Sequence, residues 1–353
     1  MTDIALLRIE QNDYWPSNEV ERLEGCPVCG GAGKIVFTHL TDIVFNCAPG
    51  SWTIKSCLDC GSAFLDPRPD EKSIGRAYRV YYTHGKTAEE KESKLLADQG
   101  LLRNAINARL NIRYGTTRRP QSLVLGHLLN SIPFIGSFFD PLGRSIHLPP
   151  YKGAALLDFG CGDGRFLSFA DEMGWRSLGV DFDANAVAVA QGLGLDVRLG
   201  GFEALKPEER FDAITMSHVI EHVHDPAKTL EQCFSLLKSE GKIILETPNF
   251  DAFGRMRFGE FWRGLECPRH LVIFNQASLR KALESAGFVN IACTSRHFVS
   301  LSMYAESRSL RVGKKSGRKS LRDLLDIAAI YDGFRALFQP TRTEFLRFVA
   351  TKP

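Results

Sequence analysis

The stretch Ala154-Ala155-Leu156-Leu157-Asp158-Phe159-Gly160-Cys161-Gly162-Asp163-Gly164 decides the fold. Its apolar half reads as a buried strand. Its glycine half reads as a loop whose backbone amides can meet a ligand with no side chain intervening. Helical spacing follows to about Met173 and stops at Gly174. The next expected strand, 177–181, ends in Gly179-Val180-Asp181, with Asp181 twenty-one residues after Gly160. An acidic side chain there can accept hydrogen bonds from both ribose hydroxyls of an adenosine-containing cofactor. A glycine loop alone is a weak signal. Paired with an acid at the end of the following strand, in register with a βαβ unit, it becomes a strong one.

Outward from this core the alternation continues. A helix is expected from Asp183-Ala184, then a short strand at 196–199 and a strand at Phe211–Ser217. Asp225 as N-cap, Pro226 at the first helical position and Gly241 at the end punctuate the next helix. Strand 242–246, helix 278–286 ended by Gly287, a strand near Ile291 and a final strand at 344–349 complete the pattern. Strands alternating with helices predict a Rossmann-like, doubly wound α/β domain over 151–353 with a mainly parallel sheet.

The length, 353 residues, suits about two domains, or one with additions. With 44% hydrophobic and 24% charged residues the chain can build a sizeable core. Lys+Arg 44 against Asp+Glu 41 leaves +3, too balanced for a dedicated nucleic-acid binder. Met1-Thr2-Asp3-Ile4-Ala5 lacks the layout of a signal peptide, and the charge-free stretch 121–139 is broken by Asn130 and Pro133. A cytoplasmic location without a membrane span is the expectation.

Nine cysteines, an odd number, do not read as a disulfide framework. Four of them form Cys26-Pro27-Val28-Cys29-Gly30 and Cys57-Leu58-Asp59-Cys60-Gly61, two knuckles with 27 residues between them. Four thiolates match a closed tetrahedral zinc site, hence a structural one, replacing a core that so short a segment cannot supply. The expected organisation is a zinc-ribbon leader over 1–70, a helical and apolar insertion over 71–150, and the α/β domain over 151–353. Within the insertion, 87–113 shows helical spacing with a kink expected at Gly100.

The spacing Gly160-x-Gly162-x-Gly164 puts Arg165 where a dinucleotide loop needs its third glycine, and Asp158 at the strand end suits a cationic ammonium better than a pyrophosphate. Here the chain resembles class I S-adenosylmethionine (SAM) methyltransferases with an Asp-x-Gly-x-Gly-x-Gly strand end. The resemblance covers about 154–300 plus the last strand and implies a seven-stranded sheet whose final strand is antiparallel. It implies that Asp158, Gly160 and Gly162 hold the methionine end of SAM, Asp181 the ribose, and Phe182 the adenine face, with Phe202 and Glu203 at the adenine edge. Cys161, Ser217 and His218 are included in that cofactor set, Cys161 as a small filler. Met216 to Pro226, with its Glu221-His222-Val223-His224-Asp225-Pro226 core, resembles ubiquinone-pathway O-methyltransferases, as do Glu246-Thr247-Pro248-Asn249, Trp262 and Pro268-Arg269-His270-Leu271. The zinc-ribbon leader with Phe64 to Pro69 and Tyr78, Tyr81 and Tyr82 resembles that of methyltransferases from surface-polysaccharide pathways.

These resemblances imply methyl transfer from SAM to a small-molecule hydroxyl on a sugar, glycolipid or quinone-like compound. Transfer to a hydroxyl calls for a base, for which His222 and His270 are the candidates. The connection before the last strand is longer than a hairpin requires and implies an additional helical element. Seven Lys/Arg without an acid in 308–322, and five Arg without an acid in 103–119, suit a solvated face, an anionic or lipid-linked acceptor, or RNA. The apolar run at 123–139 suits a lid, a buried hairpin or a peripheral membrane contact. Two other readings stand beside the small-molecule enzyme: a zinc-ribbon rRNA methyltransferase, and a non-catalytic SAM-binding scaffold.

Overall fold

The computed structural model describes residues 14–79, 100–119, 121–131, 152–294, 300–313 and 326–353. Tyr81 and Tyr82, 87–99 of the expected helix, 132–139 of the apolar run and 314–322 of the basic run lie outside the described residues.

The elements in chain order begin with strands β1 (Val20–Glu21), β2 (Gly33–Leu40), β3 (Trp52–Cys57), β4 (Ala63–Leu65) and β5 (Arg68–Pro69). Helices α1 (Leu101–Tyr114) and α2 (Leu123–Ser131) follow. The α/β alternation then runs β6 (Ala155–Phe159), α3 (Arg165–Glu172), β7 (Arg176–Asp181), α4 (Ala184–Gly192), β8 (Val197–Leu199) and β9 (Phe211–Ser217). After it come α5 (Pro226–Leu236), β10 (Leu237–Pro248), α6 (Phe253–Phe258), β11 (Val272–Ile273), α7 (Gln276–Ser285) and β12 (Val289–Cys293). Helices α8 (Ser300–Arg311) and α9 (Ile327–Phe338) fill the long connection to β13 (Phe345–Thr351), so the additional helical element is present.

Seven strands form one sheet in the order β12-β13-β10-β9-β6-β7-β8, a mixed α/β, Rossmann-like arrangement. The register of β6 against β7 and β9, and of β7 against β8, is parallel. Because β7 and β9 flank β6 on opposite sides, the strand order reverses there, and open α/β sheets bind ligands beyond the carboxyl ends of strands at such a point.

The chain gathers into two compact units, one of Met1–Tyr81, His218–Phe234 and Leu245–Ala350, the other of Tyr82–Ser217, Ser235–Ile244 and Thr351–Pro353. In the second, Leu156, Leu157, Val180 and Ile214 are fully buried along the central strands. Helix α3 lays Phe166, Leu167, Phe169 and Ala170 into this core. Gly179 makes the packing feasible. A Cβ on it would lie 2.5 Å from Leu167 Cδ1 and 2.6 Å from Cys161 Sγ. Gly100 does not kink a helix within the described residues: its extended backbone is the N-cap of α1. Gly241 likewise does not close the helix before it. Helix α5 ends at Leu236, and the Glu240 amide and Gly241 carbonyl pair with Lys352 at 3.0 and 2.9 Å, which draws this segment into strand structure.

In the first unit a second sheet has the order β11-β4-β3-β2. Its antiparallel registers are Gly33 with Cys57, Ser56 with Ala63, and Phe64 with Val272. The cysteine-bearing leader therefore shares a sheet with residues far along the chain.

Candidate functional site

Strand β6 delivers Asp158 and Phe159 to the sheet's carboxyl edge, where the glycine loop turns the chain. Gly160, Gly162 and Gly164 have φ of 74°, 57° and 78°, left-handed values that side-chain-bearing residues seldom adopt. The Gly160 and Cys161 amides donate to the Val180 carbonyl at 2.8 and 3.1 Å, and Gly164 is the N-cap of α3. The Cys161 side chain turns inward among Leu167, Val187, Ala190 and Val197, as a filler should.

Asp181 ends β7 and gathers the loop. Its Oδ2 accepts from the Gly162 amide at 2.7 Å and its Oδ1 from the Asp183 amide at 2.9 Å. Burial raises its pKa, against those two donors. Each carboxylate oxygen keeps a second lone pair for a hydroxyl. Asp158 is fully buried and accepts from Thr215 Oγ1 at 2.6 Å. Phe159 and Phe202 ring centroids lie 4.3 Å apart with the planes tilted by 30°. Phe182 is 71% exposed, with its ring edge over Gly201, where a Cβ would come within 2.7 Å. Glu203 Oε1 accepts from the Gly201 amide at 2.7 Å. Asp181, Phe182, Gly201, Phe202 and Glu203 thus form a connected rim with an aromatic face, and their donors and acceptors fit an adenosine. Ser217 is the last residue of β9, and His218 follows it directly.

The histidines belong to the other compact unit. His218 has a φ of 58°, a strained value for a residue with a side chain. Its amide donates to the Glu246 carbonyl at 2.8 Å, and its ring meets Phe345 edge-on at 4.8 Å. Nδ1 lies 3.2 Å from the buried Glu221 carboxylate and Nε2 3.7 Å from Glu246. Desolvation opposes a charge on the ring, but the two carboxylates outweigh it and push its pKa up to about 9. The two carboxylates thus favour the imidazolium form of His218 at neutral pH.

His222 and His270 face each other with ring centroids 4.7 Å apart. The Arg269 carbonyl, which can only accept, takes the Nδ1–H of His222 at 3.0 Å, with the Tyr78 hydroxyl oxygen 2.9 Å from the same nitrogen. This tautomer leaves Nε2 of His222 with its lone pair. His270 donates Nδ1–H to the Gly264 carbonyl at 2.8 Å and is buried. Burial pulls its pKa down to about 4, against the nearby Glu266 and Glu221 carboxylates, so it stays neutral. Donor atoms of Glu221, His222 and His270 all lie within 4.8 Å of one another, a spacing a metal ion could share. His224 is turned away, its Nε2–H donating to the Pro69 carbonyl at 2.9 Å.

Cys26, Cys29, Cys57 and Cys60 converge with their sulfurs within 4.8 Å of one another. Cys26 and Cys60 are 3.7 Å apart, and Cys29 and Cys57 3.5 Å. Zinc at about 2.3 Å from four tetrahedral sulfurs sets them about 3.8 Å apart, so the donor set fits the metal. The Val28 amide donates to Cys26 Sγ at 3.4 Å and the Asp59 and Cys60 amides to Cys57 Sγ at 3.4 and 3.5 Å, the bonds expected around thiolates.

Residues 135–292 match a family model described as a methyltransferase domain. This segment is similar to that family. A probable S-adenosylmethionine-dependent methyltransferase of Mycolicibacterium smegmatis is 31% identical over 139 residues, 38% of this chain and 52% of that protein. The ubiquinone biosynthesis O-methyltransferase of Xanthomonas axonopodis is 36% identical over 113 residues, 30% of this chain and 47% of that protein. The chain spans about half the length of the curated relatives it matches. Among solved structures, a SAM-dependent methyltransferase from Archaeoglobus fulgidus aligns over 66% of this chain and 95% of its own, at 21% identity and a TM-score of 0.41.

Around this segment, sequence reasoning missed three groups. Arg269 is fully buried and paired with Asp42 and Glu266, its Nη1 donating to the Ala77 carbonyl at 2.7 Å. Its charge in an otherwise apolar Pro-Arg-His-Leu run was the available signal. Tyr78 was noted only as part of a tyrosine cluster. Glu246, shared between His218 and the guanidinium of Arg347, read as an ordinary strand end. Among the described residues no helix is long and apolar enough to cross a membrane.

Proposed function

We propose that this protein transfers the methyl group of SAM to a hydroxyl of a small molecule such as a sugar, glycolipid or quinone-like compound. The observation that carries the cofactor half is Asp181, whose carboxylate binds the Gly162 amide and keeps lone pairs for a ribose. In this reading Asp158, Gly160, Cys161 and Gly162 hold the methionine end, Cys161 through its backbone. Asp181 takes the ribose, Phe182, Phe202 and Glu203 take the adenine, and Ser217 and His218 complete the cofactor set. Cys26, Cys29, Cys57 and Cys60 hold a structural zinc ion, in a leader over 1–70 that precedes an insertion over 71–150. The relatives named for ubiquinone biosynthesis support a small-molecule acceptor.

SAM supplies an electrophilic carbon on a positively charged sulfur. The acceptor oxygen bonds to that carbon while the carbon–sulfur electron pair leaves with sulfur, and the hydroxyl proton passes to a base. Of the two candidate histidines, His222 suits the base better. Its Nε2 carries a lone pair and it is half-buried, whereas His270 is buried and a weak base at about 4. Incubation with methyl-labelled SAM and separate sugar-nucleotide, lipid and RNA fractions tests the reading. Label in a small-molecule or lipid fraction supports it, label in RNA replaces the acceptor class, and no SAM binding at all overturns it.

A further inference from the structure

We infer that the four-cysteine ribbon is a clamp on residues 266–275, so that metal occupancy sets the order of the His222–His270 pair without setting cofactor affinity. This rests on the zinc and histidine readings above, and it deepens them.

The coupling begins with the sheet. Strand β11 is two residues long and stands at the end of its sheet, so among the described residues β4 is its one strand neighbour. Ala63 pairs with Ile273 and Phe64 with Val272, and the Leu65 amide donates to the Leu271 carbonyl at 3.0 Å. Strand β4 begins three residues after Cys60, in line with the second knuckle. Phe64 itself packs into the cluster of Cys26, Cys57 and Cys60. A metal held by both knuckles would tie the start of β4 to the rest of the leader. Losing the metal therefore loosens the strand that pairs with β11 and leaves it the bonds of the Leu271 and Val272 amides to the Glu221 carbonyl.

The knuckle also touches the segment directly. Gly61 lies against Asn275, where a Cβ would stand 2.6 Å from Nδ2. Asn275 caps α7 in a reciprocal capping box with Ser278, so the second knuckle abuts the start of that helix. At the other end of the segment the Asp42 carboxylate holds the Arg269 guanidinium in a buried pair. The same carboxylate orders its own loop by accepting from the Phe45, Cys47 and Ala48 amides at 3.1, 3.0 and 3.1 Å. Removing one partner of a buried pair is strongly destabilising. His270 lies between these two anchors, one residue from Arg269. His222 is reached through Tyr78, and the Leu271 amide returns to the Glu221 carbonyl at 2.8 Å. The leader thus fixes residues on both sides of His270. The Gly162–Asp181 contact and its rim involve none of these residues.

The test needs no acceptor. Zinc content, thiol alkylation, hydrogen exchange of the Leu65 and 271–273 amides, and SAM calorimetry are measured on the full chain before and after chelation. The expected result is about one zinc per chain and four shielded thiols. On chelation the thiols should open, these amides should exchange at least about tenfold faster, and the SAM dissociation constant should stay within about twofold. Unchanged exchange after complete metal removal overturns the clamp, as does a SAM affinity lost together with the protection. Asp42→Asn isolates the clamp from the metal: zinc should remain bound while exchange at 271–273 rises. Retained zinc with parental exchange in that variant also overturns the clamp. A chain isolated without zinc that takes up none when it is added overturns the four-thiolate reading instead.

Discussion

The backbone amide of Gly162 donates to the carboxylate of Asp181 at 2.7 Å, joining the glycine loop after β6 to the acid that ends β7. One side chain therefore shapes the loop and, in the function proposed above, takes the ribose of SAM. Asp181→Ala removes both functions. SAM affinity should fall by about 1.5–3 kcal/mol, the scale for hydrogen bonds to a charged group. Calorimetry at constant pH checks this. Parental affinity in a folded variant would remove Asp181 from the site.

This part of the site was legible because its signals are local. A glycine loop, a strand end and the acid after it lie within one βαβ unit, and the structure joins them as their order implies. The four cysteines were legible for the same reason, since each Cys-x-x-Cys pair is its own turn. Nothing local announces that Val272 pairs with Phe64, or that Arg269 meets Asp42. Both depend on long-range sheet and ion-pair partners, which periodicity does not encode. The reach of α5 was misjudged because Gly241 reads as a helix stop, while the real competitor is strand pairing with Lys352. The strained backbone of His218 is also invisible in a sequence, because φ belongs to the folded chain.

His218 should be charged at neutral pH, with Glu221 and Glu246 supplying the stabilisation. A raised histidine pKa contributes stability that is complete below about 6.5 and is lost as pH rises through about 9. Proton-detected titration of the ring should show its midpoint near the upper value. Glu246→Gln removes one of the two carboxylates and should move that midpoint downward. An unchanged midpoint in the variant would assign the shift to Glu221 alone.

Glu344 makes an opposite use of burial. Desolvation pushes its pKa up to about 7, against hydrogen bonds from Trp262 Nε1 and the Gly254 amide at 2.8 and 2.7 Å. The fold binds this proton more tightly than the unfolded chain does. Stability from it is therefore present below about 4.5 and fades as pH rises through about 7. A shift of that size corresponds to roughly 3 kcal/mol. Denaturation midpoints from pH 5 to 8 should decline more steeply for the parent than for Glu344→Gln, which cannot ionise. Parallel curves would show that Glu344 does not govern this pH range.

The last prediction separates the two facing histidines. His270 is buried, donates to Gly264 and has its pKa pulled down to about 4. As a base it would already be deprotonated throughout neutral pH and would draw little driving force from a hydroxyl proton. Its replacement by Gln should chiefly cost stability, about 1–3 kcal/mol for a buried bond left unmade. His222 keeps the Nε2 lone pair while its Nδ1–H is held by the Arg269 carbonyl. His222→Gln should leave SAM affinity and melting temperature near parental values while single-turnover methylation slows about 10²–10⁴-fold. Tyr78→Phe tests the positioning of that ring, because it removes the hydroxyl beside Nδ1 and leaves Nε2 in place. It should lower the rate less than His222→Gln does. Should His270→Gln lose the rate with its stability intact while His222→Gln keeps it, the two roles are exchanged. Should both variants keep parental rates, no base of this pair acts, and the acceptor arrives already ionised.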